Sequence, residues 1–127
     1  MAKAAPDYTL DGSLERIAEA TRMYICADQP ADYAGIAALA LAQADVTPGV
    51  GNGDFTIGDA PGGGRRLTVA AQADMPIGTT GEGDHVVLAD VANSRLLYVT
   101  ETLQPVALTS GGTVDTPAWN IDIADPT

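Results

Sequence analysis

The sequence predicts a mainly β protein: a compact antiparallel β-sandwich or barrel with one short N-terminal helix and an extended N-terminal arm. In its second half, apolar and polar residues alternate with a period of two, which is typical of half-buried strands. Glycine-rich turns interrupt this alternation at short intervals. Because such strands must cover their apolar faces with another sheet or by closure, a small sandwich or barrel is the expected architecture.

The chain has 127 residues, which is enough for one ordinary hydrophobic core and short for two domains. We predict an arm over residues 1–12 and a single β domain over residues 13–127. The arm shows no periodicity, so we expect Met1 to Asp11 to be extended and to become ordered on a partner. Ser13 is suitably placed to cap a short helix over Arg16–Ala20.

The remaining predicted elements are strands separated by turns. A strand over Arg22–Ala27 is expected to end before Pro30, which cannot continue a hydrogen-bonded ladder. The segment Ala34–Ala44 suits a helix by composition, but its alternating leucines favour a strand from about Ile36 to Val46. Further strands are expected over Phe55–Ile57, Arg65–Ala73, Asp84–Val91, Arg95–Thr102, Pro105–Thr109 and Ala118–Ile123, with loops at Thr47–Gly53 and Asp59–Gly64, a hairpin at Ala92–Ser94 and a turn at Ser110–Gly112.

The alternation assigns an inner and an outer face to each strand. Leu67, Val69, Ala71 and Ala73 are expected to face the core together, with the intervening residues on the opposite face. The C-terminal strand repeats the rule around Ile121. A slip of one residue would reverse these faces, so the pattern also predicts the register.

The charge of the chain excludes several classes of partner. Six basic residues stand against seventeen acidic ones, a net charge of -11. We therefore expect no binding to nucleic-acid phosphates and none to anionic membranes. No segment is apolar for long enough to resemble a membrane span or a signal peptide, and we expect a soluble protein made in a cytoplasm.

No set of residues predicts catalysis, so we expect no enzyme, no cofactor and no metal site. His85 is adjacent to Asp84, but neighbours on a strand point to opposite faces, and we expect His85 to face solvent. Cys26 lies in an apolar run and is expected to fill the core. One histidine and one cysteine cannot supply the usual ligands of zinc.

The segment Gly62–Gly64 precedes two arginines, Arg65 and Arg66. It lacks the lysine and the following helix of a phosphate-binding loop, so we expect a turn whose arginines form salt bridges with an acidic neighbour, either within the chain or on a partner. Acidic residues near glycines raise the possibility of a calcium site, although their spacing matches no known calcium loop and solvated loop charges are the simpler interpretation. These acidic residues are Asp54, Asp59, Glu82 and Asp84.

The aromatic residues leave two interpretations open. They are candidates for a sugar-binding platform, but most lie within apolar patterns that favour the core or an interface. A glycan-binding protein would gather several of them in one groove. The residues are Tyr8, Tyr24, Tyr33, Tyr98 and Trp119.

Over roughly residues 20–127, the sequence resembles small virion structural proteins of long-tailed double-stranded DNA bacteriophages. The resemblance implies a particle component, and we expect a capsid decoration or cement protein. The segments that carry the resemblance are Thr21–Cys26, Gly53–Ile57, Arg66–Gln72, His85–Asp90, Ser94–Thr100 and Pro117–Thr127.

Such a protein would be assembled in the host cytoplasm and would bind the outer head surface as a homotrimer across neighbouring subunits of the major capsid protein. The surfaces expected to carry this contact are the arm and the loops Val46–Gly53 and Asp59–Gly64. A tail- or fibre-associated protein and a module that binds host-surface glycans are the alternatives. A hydrolase would need a Ser/His/Asp set, which the sequence does not suggest.

Overall fold

The computed structural model describes residues 6–124, apart from the side chains of residues 102 and 103. Within this range the chain forms two helices and nine strands. The helices are α1 (Asp7–Ile17) and α2 (Tyr33–Leu39), and the strands are β1 (Arg22–Cys26), β2 (Ala40–Asp45), β3 (Phe55–Asp59), β4 (Arg65–Val69), β5 (Gln72–Pro76), β6 (Gly81–Asp90), β7 (Arg95–Leu108), β8 (Thr113–Thr116) and β9 (Trp119–Ile123).

The strands form three antiparallel sheets. Four strands pair in the order β2-β1-β6-β7, three in the order β3-β4-β9, and β5 pairs with β8. An isolated bridge between Ala42 and Ile77 connects β2 to the end of β5. The predicted mainly β, antiparallel fold with a short N-terminal helix is confirmed. No helix within residues 6–124 is long and apolar enough to cross a membrane.

The largest hydrophobic cluster joins α1 to all three sheets. Its members include Leu14 of α1, Met23 of β1, Phe55 of β3, Met75 of β5 and Leu88 of β6, each fully buried. Because these side chains come from separate elements, they hold the sheets together. A second cluster lies on the other face of the four-stranded sheet, where α2 covers it; its members are Tyr24, Cys26, Ile36, Val87 and Ala89.

The alternation in β4 is confirmed at Leu67 and Val69, which are fully buried, while the side chains between them are partly exposed. It fails at Ala71 and Ala73, which are exposed. The predicted strand Arg65–Ala73 ends at Val69, and the chain then enters β5, which pairs with β8 in a different sheet.

The N-terminal helix starts earlier than predicted. Helix α1 begins at Asp7 and ends at Ile17, so residues 7–11, expected to be extended, are helical; residues 1–5 of the predicted arm lie outside the described residues. Leu10 and Leu14 are four residues apart, lie on one face of the helix and are buried. This pair anchors α1 in the core, and the arm interpretation was wrong for this segment.

The predicted strand from Ile36 to Val46 was wrong in its first half, where α2 forms before β2 begins at Ala40. The Asp32 carboxylate accepts a hydrogen bond from the Gly35 N–H at 2.9 Å and caps the helix. Ile36 then lies buried against the four-stranded sheet. The cap and this contact override the alternation of the leucines.

Two strands predicted separately, Arg95–Thr102 and Pro105–Thr109, form the single strand β7. The proline is tolerated because it lies between Glu101 and Val106, where the regular pairing of β7 with β6 is interrupted. The hairpin at Ala92–Ser94 is confirmed, since Asp90 pairs with Arg95 across it. The loop at Thr47–Gly53 and the turn at Ser110–Gly112 also form outside the named strands.

Candidate functional site

A cavity of about 500 Å³ lies where strands of the three sheets meet. Its walls come mainly from β7, β8 and β9, with β1 and β6 behind them. Strand β8, which the sequence did not predict, supplies three wall residues. The alternation of Thr113–Thr116 before Pro117 is the sequence signal that indicates this strand. The lining residues are Ile25, Gly83, Val86, Thr100, Glu101, Val106, Val114, Asp115, Thr116, Pro117, Trp119 and Asn120.

Each of the three wall strands is an outer strand of its sheet. Among residues 6–124, strand β7 pairs only with β6, β8 only with β5, and β9 only with β4. An outer strand presents backbone N–H and C=O groups that no neighbouring strand of its sheet uses. Residues of three outer strands therefore line the cavity, together with the row Ile25, Val86 and Thr100 on one face of the four-stranded sheet.

Trp119 forms part of the wall and packs against the main hydrophobic cluster. Its ring lies 6.1 Å from that of Tyr98, with the two planes at 31°. The indole Nε1 and the Thr116 Oγ1 are shielded from water, and neither has a hydrogen-bond partner in the described part of the chain. A buried polar group without a partner costs stability.

Replacing Thr116 by valine is expected to raise the free energy of unfolding by about 1 kcal/mol, because it removes an unpartnered buried hydroxyl and keeps the β-branched shape. Urea denaturation measures the change. Thr113→Val, at an exposed position of the same strand, is the control and is expected to have almost no effect. A loss of stability on Thr116→Val would mean that the hydroxyl does make a stabilising bond.

Carboxylates lie at the rim of this apolar cavity. Glu101 and Asp115 are both exposed and line it. Asp115 accepts a hydrogen bond from the Asp74 N–H at 2.8 Å, which fixes one of its oxygens. Glu101 forms no ion pair with any described residue. The rim therefore favours a cationic group on whatever enters.

A second candidate surface, which we name the α1 face, consists of α1 and the loops Val46–Gly53 and Asp59–Gly64. The C-terminal end of α1 is bonded to the first loop, because the Gly49 N–H donates to the Ala18 carbonyl at 2.8 Å. The N-terminal end lies beside the second loop. Tyr8 is 87% exposed and Val50 is 40% exposed, so the face presents two large apolar side chains to solvent.

Arg65 ties the second loop to α1. Its Nε lies 2.8 Å from Asp11 Oδ1, its Nη1 lies 2.7 Å from Asp59 Oδ1, and Asp7 is 3.6 Å away. Arg66 pairs with Asp122 at 2.7 Å. The predicted salt bridges are confirmed.

Hydrogen bonds in these clusters shift the pKa values of the groups. The bonds to Asp11 and Asp59 raise the pKa of Arg65. The bond between Arg66 and Asp122 raises the pKa of the guanidinium and lowers that of the carboxyl. Both arginines are thus engaged by carboxylates of this chain, and the glycine-rich turn does not present them to a phosphate.

The predictions that His85 faces solvent and points away from Asp84 were wrong. His85 is 8% exposed, and its Nδ1 lies 2.6 Å from Asp84 Oδ1. The argument from opposite faces fails because the register of β6 against β7 shifts between Gly83 and His85.

Cys26 lies opposite His85 on β1 and is buried, which confirms its place in the core. Burial, followed by the charge of Asp84, raises the pKa of the thiol to about 11.

The acidic residues considered as calcium ligands do not form a site together among the described residues. Asp54 accepts the Thr47 N–H at 2.6 Å and a Gln72 amide proton at 3.3 Å. Asp59 binds Arg65. Among the residues described, no group of three or more His, Cys, Asp or Glu side chains is arranged to hold a metal ion.

The aromatic candidates do not gather in one groove. Tyr24 is buried in the second cluster and Tyr33 packs against that cluster. Tyr8 stands alone on the α1 face, and Tyr98 and Trp119 form a pair beside the cavity.

Comparison of the chain with protein-family models found no match. Searches of curated proteins and of solved structures also found none.

Proposed function

We propose that this chain is a structural protein of a bacteriophage virion that decorates the outer surface of the capsid. In this role it binds as a homotrimer across neighbouring subunits of the major capsid protein and stabilises the shell. The sequence resemblance motivates the proposal. The observation that carries it is the α1 face, where Tyr8 and Val50 project from segments held at both ends of one helix.

The rigidity of the α1 face favours a role in binding. Leu10 and Leu14 anchor the helix in the core, and Arg65 and Gly49 hold its two flanking loops. An exposed aromatic ring on a fixed helix loses little conformational freedom when a partner covers it. Aromatic side chains are enriched among the residues that dominate protein interfaces. We therefore assign Tyr8 as the main anchor.

The charge of the chain indicates the chemistry of the partner surface. Arg16, Arg22, Arg65 and Arg66 all pair with carboxylates of the same chain. Most of the net charge of -11 therefore remains as exposed acidic groups. A neutral or basic capsid surface would complement this field, whereas an acidic one would repel it.

The mechanism of stabilisation is mass action. A protein that binds the assembled lattice and not the dissociated subunits shifts the equilibrium towards the lattice. Each bound copy adds buried area between neighbours, so resistance to the pressure of packaged DNA rises with occupancy. No catalytic step is required of any residue.

The proposal is tested by adding purified chain to particles that lack it. Wild-type protein should occupy the capsid surface in electron cryomicroscopy and raise the temperature at which DNA is released. Tyr8→Ala should weaken binding about tenfold or more, as expected for an interface anchor, without altering the unfolding transition. Tyr8→Phe keeps the ring and serves as the matched control, with occupancy near that of wild type.

Two results would contradict the proposal. The first is that particles without the protein release DNA at the normal temperature but adsorb poorly to host cells, a result that would favour recognition of host glycans. The second is that the protein is located on the tail or fibre of intact virions.

A further inference from the structure

We propose that Asn52 is a site of spontaneous covalent modification. Its side-chain amide is lost through a cyclic imide formed with the backbone nitrogen of Gly53, and aspartate or isoaspartate remains. Both residues belong to the loop Val46–Gly53 of the α1 face. The inference goes beyond the capsid-decoration proposal and does not depend on it.

The reaction takes two steps, and water is its only co-reactant. The Gly53 backbone nitrogen gives up its proton to solvent and attacks Cγ of Asn52. The new C–N bond forms, the Cγ–Nδ2 bond breaks, and the departing NH2 takes up a proton and leaves as ammonia. Water then opens the imide ring. Breaking the new C–N bond gives aspartate, whereas breaking the original peptide bond gives isoaspartate.

The Gly53 nitrogen is free to act as the nucleophile. Among residues 6–124, its N–H donates no hydrogen bond, and the residue is exposed. Gly53 has a φ of 116°, and apart from its chain neighbours no heavy atom lies within 4 Å of the position that a Cβ would take. A side chain there would crowd the closing ring, and glycine has none. Base and water therefore reach this nitrogen.

Asn52 is exposed and is held by a single restraint. It lies in a bend outside the named strands, where its Nδ2 donates to the Pro48 carbonyl at 2.8 Å. Breaking one neutral hydrogen bond slows a reaction by about two- to tenfold. Joining the two reacting groups in one chain speeds it by a far larger factor, about 10⁵ or more for well-oriented groups. The bond to Pro48 therefore delays the reaction without preventing it.

The other two asparagines of the chain are held more strongly, and neither precedes a glycine. Asn93 donates from Nδ2 to the buried carboxylate of Asp90 at 2.7 Å. Breaking a bond to a charged acceptor slows a reaction by about ten- to a hundredfold. Asn120 lies within β9, pairs with Thr68 of β4 and accepts a hydrogen bond from its hydroxyl at 3.0 Å. We therefore expect Asn52 to react first.

The product alters the α1 face. A carboxylate at position 52 cannot donate to the Pro48 carbonyl, so the loop loses that bond. Isoaspartate also inserts a methylene into the backbone between Val50, which is 40% exposed, and Phe55, which is fully buried. Either product adds a negative charge to a chain whose net charge is -11. The modification therefore changes the shape and the charge of the loop that presents Val50.

The test incubates the full folded chain in mildly acidic and in mildly alkaline buffer, and peptide mass spectrometry follows each asparagine. We expect the peptide that contains Asn52 to gain the mass difference between a hydroxyl and an amino group. The gain should be faster in alkaline buffer, because the attacking nitrogen must lose its proton. Aspartate and isoaspartate should both form, and in heavy-oxygen water each should carry one heavy oxygen atom.

Asn93 and Asn120 are internal controls. In the folded chain, Asn52 should react at least about tenfold faster than either. Unfolding in guanidinium chloride opens the ladder around Asn120 and should accelerate its reaction, whereas the rate at Asn52 should change by no more than about tenfold. Asn52→Gln lengthens the side chain, so the five-membered ring cannot close and the rapid gain in mass should disappear.

The proposal is overturned if Asn52 keeps its amide while Asn93 or Asn120 loses one, or if all three asparagines stay unchanged. Aspartate without isoaspartate would also overturn it, since that indicates direct hydrolysis of the amide. Acceleration at Asn52 by more than about tenfold on unfolding would mean that the folded loop holds its amide away from Gly53. None of these results bears on the capsid-binding test with Tyr8→Ala.

Discussion

Replacing Gly64 by alanine is expected to destabilise the protein by about 3–5 kcal/mol. Gly64 has a φ of 86°, in the region that side chains rarely adopt. An added Cβ would also overlap the carbonyl oxygen of Ile123 and lie 2.8 Å from the Cα of Ala124. Backbone atoms cannot rotate away as a side chain does. The loop Asp59–Gly64 and strand β9 would therefore have to separate.

Gly62→Ala is the matched control for this prediction. Gly62 also has a positive φ, 82°, but no heavy atom lies within 4 Å of the position its Cβ would take. Its substitution should cost only the left-handed conformation, about 1–2 kcal/mol. Urea denaturation of the two variants measures the difference. Equal losses would mean that the contact between Gly64 and β9 is not a constraint on the fold.

Leu14→Ala is expected to lower the free energy of unfolding by about 2–5 kcal/mol, the usual cost of truncating a fully buried leucine. Leu14 is the residue by which α1 enters the main hydrophobic cluster. The ion pairs of Arg65 with the exposed carboxylates of Asp7 and Asp59 contribute much less, since pairs with an exposed partner add little. Thermal or urea denaturation provides the measurement.

Glu15→Ala is the control for Leu14→Ala, since Glu15 is exposed on the same helix and alanine is a good helix former. It should change stability by less than about 0.5 kcal/mol. If both variants behaved alike, α1 would not be anchored through Leu14. The rigidity that we assign to the α1 face would then have no basis.

Local pattern alone determined the features that depend on side-chain alternation or on residue chemistry. The alternation around Leu67 and Ile121 predicted two strands and their buried residues Leu67, Val69 and Ile121, because successive side chains of a strand point to opposite faces. The apolar run around Cys26 predicted a buried thiol. The glycine-rich turn before Arg65, which lacks the marks of a phosphate-binding loop, predicted that this arginine would pair with an acidic residue.

Contacts between distant residues decided the rest. Helix α2 forms where a strand was predicted because Ile36 is buried against the four-stranded sheet, a contact that no window of the sequence contains. His85 meets Asp84 because pairing with β7 shifts the register of β6. Residues 7–11 are helical because Leu10 is buried in the folded chain.

The cavity was not predictable for the same reason. It exists because β7, β8 and β9 are outer strands of three separate sheets, and strand order depends on the whole fold. The Thr116 hydroxyl and the Trp119 indole N–H find no hydrogen-bond partner among residues 6–124 because of their surroundings, not because of their own identity. The sequence by itself therefore determined the strand class, the charge and the buried thiol. Only the tertiary structure decided the order of the strands in each sheet and the surroundings of the buried polar atoms, because both depend on contacts between distant residues.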